Sequence, residues 1–207
     1  GNNPISILRA SRAPIVLFAL AAGLFLFFWA RKLYGNKVAL LATFFFALSP
    51  TIIAHSGFVT TDIPAMLGFL AGIATFVHFL QKPTQKRLVI ATVVFGLAQL
   101  LKFSLFLLVP FYILLALIWL FVSDDYYQTK QKFSYFIKTG SRLALRLLVI
   151  FLGGVVIIWA GYLWHVWDYP PERQLSDAEQ QLSTFRVREL VELDLWLTEQ
   201  PLTRPLG

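Results

Sequence analysis

Apolar residues crowd into five long stretches, 14–30, 38–54, 63–80, 88–122 and 143–164, and the polar residues fall mostly between them. A membrane-spanning helix needs about 20 predominantly apolar residues, within a range of roughly 17 to 25. Four of the stretches fit one span each, with Pro14 in the first turn of the first, where its missing N–H costs little. The run 88–122 is too long for one span and is broken by Lys102. It reads either as one steep helix that overshoots the bilayer or as two spans folded back at Lys102-Phe103-Ser104.

Charge parity decides between them. Arg31, Lys32 and Lys37, with Lys82, Lys86 and Arg87, share one side under simple alternation. The group Lys130, Lys132, Lys138, Arg142 and Arg146 joins them only if the run is a hairpin. Lys and Arg collect on the cytoplasmic side, so the hairpin is favoured, which predicts six spans with both ends outside. Its first half, 88–101, is only about 21 Å long at 1.5 Å per residue, against a hydrocarbon core of roughly 30 Å. Either Lys86 and Arg87 serve as snorkelling ends or the turn lies below the surface.

Beyond the last span the pattern changes. Trp164, Trp167 and Tyr169 suit the membrane interface, and Pro170-Pro171 stops any helix. Ser176-Asp177-Ala178-Glu179 has capping-box spacing, with Leu182, Phe185, Leu190, Leu193 and Trp196 at helical intervals behind it. The tail, 165–207, carries eight acids against four arginines and is predicted to form one amphipathic helix on the outer surface. The predicted organisation is thus a transmembrane helical domain, 1–164, followed by an extracytoplasmic loop, 165–207.

Composition agrees. Of 207 residues, 57% are hydrophobic and 14% charged, whereas a soluble domain carries roughly a quarter charged; the fold class is all-α and membrane-embedded. In a soluble protein the net charge of +7 would suggest nucleic acid. Here the cations follow membrane topology instead, and no nucleic-acid partner is expected. Cysteine is absent, which rules out a disulfide framework and thiolate metal sites. The chain opens Gly1-Asn2-Asn3-Pro4 and closes Pro205-Leu206-Gly207, which reads as an internal piece of a longer protein.

A few polar residues then need an explanation. Asp62 is the only acid before Asp124 and Asp125 and lies in "HSGFVTTDIPA", at the predicted edge of the bilayer. At the start of a helix it can cap free N–H groups and meet the positive end of the helix dipole; a carboxylate near lipid also stands as a functional candidate. Lys102 is either a snorkelling lysine at a turn or a cation held to meet a lipid phosphate. An acid and a base at one depth on one side are what a site handling a phosphate-linked substrate needs. His55 can bind substrate, ligate a metal or pass a proton; Arg12 is an outer-side cation before the first span; His78 and His165 read as interface residues. No Gly-rich phosphate loop, His-Glu metal motif or nucleophile elbow occurs.

The order of these pieces is familiar. An Arg-x-Pro at the head of a span, then "WARKLYGNKVALLATFFFALSPTIIAHSGFVTTDIPAMLGFLAG", then "FGLAQLLKFSLFLLVP", resembles the multispanning glycosyltransferases that use polyprenyl-phosphate sugars. These include the dolichyl-phosphate-mannose protein mannosyltransferases and the lipid A aminoarabinose transferase. The resemblance covers roughly residues 9 to 115, and the tail looks like the outer loop that bacterial members place before their next spans.

The resemblance implies a type C glycosyltransferase fold with the active site on the outer (periplasmic or extracellular) face of a membrane, in bacteria the inner one. It also implies a groove for the lipid carrier and inverting transfer of a sugar from polyprenyl phosphate to a hydroxyl of a protein, lipid or glycan. Asp62 corresponds to the family's Thr-x-Asp acid and Lys102 to the lysine of its hairpin. Arg12 and His55 are the other expected substrate-binding residues, and a divalent metal is a possible cofactor. The family's principal catalytic acid lies in a first outer loop that would precede Gly1, so this stretch alone is expected to be inactive. A transporter or flippase for a lipid-linked sugar is the alternative, although transporters place polar groups near the midplane, in broken helices.

Because the chain lacks cysteine, single-cysteine variants report topology cleanly. Cysteines at residues 62 and 102 are expected to react with an impermeant thiol reagent from the same outer side, and one at residue 37 only after the membrane is opened. Labelling of 62 without 102 overturns the hairpin.

Overall fold

The computed structural model describes residues 3–123, 131–182, 188–200 and 203. Asp124, Asp125, Lys130, Phe185, the first two residues and the closing Pro205-Leu206-Gly207 lie outside the described residues, as do the side chains of His165 and Leu190. Helix α1 (Pro4–Tyr34) is followed at once by α2 (Asn36–Leu48), α3 (Pro50–Ser56) and α4 (Asp62–Gln81). Helix α5 (Gln85–Leu101) leads into a 3-10 turn, Phe103–Leu107, and α6 (Leu108–Val122); then come α7 (Lys132–Val166), α8 (Pro171–Leu182) and α9 (Arg188–Glu199). No strand occurs among the described residues.

Four helical stretches are long and apolar enough to cross a membrane: Ser6–Tyr34, Asp62–Gln81, Phe103–Val122 and Lys132–Trp164. The pair Asn36–Leu48 and Pro50–Ser56, bent by 60°, makes a fifth if counted as one span. Helix α5 has 17 residues and begins with charged groups, so length alone does not make it a sixth. It is instead the central helix, packed between α4 and α7 with Ala91, Phe95, Gly96 and Ala98 buried. The chain is an all-α integral membrane protein.

The hairpin at Lys102 is present. Phe95 and Tyr112 have ring centroids 5.6 Å apart, whereas one continuous helix would separate them by about 25 Å. Tyr112 is fully buried, stacks on Phe76 at 4.1 Å and donates its hydroxyl to the Gly72 carbonyl at 2.8 Å. That bond satisfies the phenol inside an apolar core, where an unpaired hydroxyl is costly. It also ties α6 to α4.

Local expectations are corrected in three places. Pro14 lies well inside α1, which starts at Pro4; one missing ladder bond is tolerated in a membrane helix. The predicted span 38–54 is broken at Ser49, which is extended (φ −64°, ψ 121°), because the residue before a proline is pushed out of the helical region. In the tail, Pro170-Pro171 starts a helix rather than only stopping one. Pro171 is the first residue of α8, a position where proline is favoured. Ser176 lies inside α8 and its hydroxyl donates to the Arg173 carbonyl at 2.9 Å, so Ser176-Asp177-Ala178-Glu179 is not a capping box. The tail has two described helices, α8 and α9, which pack on each other.

Glycine sets the closest approach of helices. A Cβ on Gly96 would lie 2.7 Å from the Cβ of Ile157, and one on Gly154 would meet the Phe95 ring at 2.5 Å. Small residues let membrane helices pack backbone against backbone, and here they seat α7 against α5. Because the Ile157 Cβ cannot swing away, Gly96→Leu is expected to cost about 1–3 kcal/mol through overpacking. Thermal unfolding of the detergent-solubilised protein, followed by tryptophan fluorescence, checks this; an unchanged midpoint counts against it.

Candidate functional site

Two helix breaks and one helix start build the site. The chain leaves α3 at Ser56, passes Gly57 to Thr61 and enters α4 at Asp62, with Ile63 and Pro64 buried. Lys102, between α5 and the 3-10 turn, is extended (φ −164°, ψ 134°). Its carbonyl accepts from the Leu105 N–H at 3.0 Å, and Gln99 Nε2 donates to the Leu105 carbonyl at 3.0 Å, which pins the tip. Leu105 is buried and packs into the space at Gly68, where a Cβ would come within 2.9 Å of Leu105 Cδ1. The hairpin tip therefore rests on the first turns of α4.

That seating brings Lys102 Nζ to 2.5 Å from Asp62 Oδ1. The other carboxylate oxygen faces His55, with Nδ1 3.1 Å from Oδ2, though without hydrogen-bond alignment, so His55 is a close polar neighbour rather than a fixed donor. Asp62 makes no side-chain capping bond, and Thr61 at the cap position makes none either. The capping expectation is thereby corrected: both carboxylate oxygens face residues of other elements. The charge still sits in the first turn of α4, where the helix dipole favours an anion.

All three side chains are about two-fifths exposed, at 41% for His55, 42% for Asp62 and 37% for Lys102. An ion pair this open adds little to stability, so its arrangement is not explained by the fold's needs. The rim around it is apolar: Phe58, Val59, Phe103 and Phe106 are all more than half exposed.

Asp62, Lys102 and His55 are thus brought together as the sequence predicts. Arg12 is not joined to them by an ion pair. It lies on α1, which packs against α3 and α4, and its Nε is buried with no hydrogen-bond partner among the described residues. His78 is at the far end of α4, about 24 Å along the helix from Asp62. Sequence reasoning missed Gln99 and Gly68, which position Lys102; the signal was present in "GLAQLLKF", where an amide precedes the lysine by one helical turn. Among the described residues no three His, Cys, Asp or Glu side chains gather as a metal site. Asp62 and His55 supply only two donors, one already facing an ammonium, so they do not by themselves hold a metal.

Asp62 and Lys102 thus stand paired at the edge of an apolar helical bundle. The family model described as dolichyl-phosphate-mannose-protein mannosyltransferase matches residues 7–159, about three quarters of the chain, spanning α1 to most of α7. No curated protein and no solved structure gives a significant match. With the matched region containing every site residue named above, the chain belongs to the dolichyl-phosphate-mannose-protein mannosyltransferase family, a family of membrane glycosyltransferases.

Proposed function

We propose that this chain forms the donor-phosphate side of a glycosyltransferase that moves a sugar from a polyprenyl-phosphate carrier to an acceptor hydroxyl on the outer face of the membrane. The observation that carries the proposal is the Lys102–Asp62 pair at 2.5 Å, open to water at one rim of the bundle. In the reaction the bond between the sugar's anomeric carbon and the phosphate oxygen breaks, the electron pair leaving with the phosphate. The acceptor oxygen forms the new bond and gives up its proton.

Charge grows on the departing phosphate, and a fixed cation stabilises that charge most effectively when it needs no reorganisation. Lys102 is placed for that task, and Arg12, with its buried Nε unpartnered, is a second candidate cation. Asp62 orients Lys102 and, with His55, shapes the polar floor; the exposed rings of Phe58, Phe103 and Phe106 offer apolar surface to the carrier's chain. We assign the acceptor's proton to a base other than Asp62, whose carboxylate faces Lys102. The family's name, dolichyl-phosphate-mannose-protein mannosyltransferase, supports a protein hydroxyl as acceptor and mannose as the sugar. We place the tail, 165–207, on the outer side as an extracytoplasmic loop, and the protein in a bacterial inner membrane. A transporter reading gains nothing from the structure, since the ion pair is at span ends and not in a midplane break.

In membranes containing the complete protein and given radiolabelled polyprenyl-phosphate mannose, Asp62→Ala is expected to lower transfer about 100-fold or more, without changing the amount of protein inserted. Normal turnover overturns the assignment. Lys102→Met should lose activity similarly, with Lys102→Arg restoring part of it, because a phosphate can be met by either cation but not by a thioether.

A further inference from the structure

A second site lies at the opposite end of the bundle, where α1, α4 and α5 meet. A cleft of about 290 Å³ opens there, with Lys32, His78, Gln81 and Arg87 at one end and the rings of Phe25 and Phe28 towards the other. No acid lines it. Arg87 uses Nη1 to bond the carbonyls of His78 at 2.8 Å and Lys82 at 3.4 Å, closing the end of α4. Lys32 is exposed, and among the described residues it forms no ion pair.

Polarity runs in one direction along this cleft. Lys32 lies in the last turn of α1, Gln81 ends α4 and Arg87 falls in the first turn of α5, so the cations stand level with the helix ends. Phe25 is about 10 Å further along α1, towards the middle of the bilayer. A cationic mouth over an aromatic wall matches an amphiphile with an anionic head and an apolar chain. It does not match a free phosphate, which would leave the wall unused. The mouth is on the side that collects Lys37, Lys82 and Lys86, the cytoplasmic side by charge, where anionic lipids meet basic pockets between helices.

We propose that this cleft binds an anionic glycerophospholipid, its phosphodiester between Lys32 and Arg87 and one acyl chain against Phe25, Phe28 and Ile90. The site is separate from the Asp62–Lys102 pair and does not rest on the transfer reaction. Lipid occupancy here would fix the spacing of α1, α4 and α5.

The test is native mass spectrometry of the detergent-purified protein titrated with phosphatidylglycerol or phosphatidylcholine of equal chain length. Preferential retention of phosphatidylglycerol is expected, weakened about fivefold by Lys32→Gln and restored by Lys32→Arg, with Lys86→Gln, a neighbour that does not line the cleft, close to wild type. Lys32 is exposed, so the variant keeps its fold; Arg87 is spared because it closes α4. Equal retention of the two lipids, an equal loss in Lys86→Gln, or displacement of phosphatidylglycerol by an equimolar polyprenyl phosphate would each overturn the proposal.

Discussion

Inside a bilayer a backbone N–H or C=O without a partner costs several kcal/mol, and this constraint decides where the chain may interrupt a helix. Two interruptions occur in the apolar part of the sequence, at Ser49-Pro50 and at Lys102, and each is closed by local bonds. Ser49 N–H reaches the Phe46 carbonyl at 3.3 Å in place of the bond that Pro50 cannot give. At the second, Gln99 and the Lys102 carbonyl both engage Leu105. His55 follows the first break, Lys102 is the second, and Asp62 opens the helix between them. The polar cluster is therefore a product of the same breaks that turn the chain at the membrane edge.

The sequence made the membrane class, the order of the apolar segments and the fold-back at residue 102 legible, because each depends on long runs of one character. Eleven-residue or shorter detail was less legible. Pro14 sits mid-helix because a long apolar context overrides one lost bond, and the bend at Ser49 was hidden inside a run whose hydropathy does not change. Pro171 was read as a stop, although the same fixed φ serves equally to start α8. In the site, the meeting of Asp62 with Lys102 followed from topology alone. The inward-facing roles of Gln99 and Gly68 did not, since a glutamine or glycine in an apolar run carries no sign of which backbone or side chain it will face.

Glycine and one tyrosine turn that topology into a distance. Gly68 admits Leu105 and Gly72 admits Leu108 and the Tyr112 hydroxyl, so α6 and the hairpin tip lie close against α4. Gly96 and Gly154 do the same for α5 and α7. Loosening these contacts by an ångström or two would separate Lys102 from Asp62 beyond hydrogen-bond reach. The precision of an exposed, weakly stabilising ion pair is thus supplied by the buried core below it.

Charged groups stand at both ends of α4, Asp62 and Lys102 at one and Lys32 and Arg87 at the other, and the two ends differ in how those charges are compensated. At Asp62 the lysine is already neutralised, so it is held in place before any ligand arrives, and an incoming phosphate must compete with the carboxylate for the ammonium. The competition favours whichever anion gains charge as it binds, and in a transfer reaction the phosphate oxygen gains charge only as the bond to the sugar breaks. A pre-paired lysine therefore discriminates in favour of the departing state over the resting substrate, which is the differential binding that accelerates a reaction. At the Lys32 end no acid among the described residues lines the cleft, so its cations attract an anion whether or not a reaction is under way. That is suited to steady occupancy and would be poorly suited to turnover.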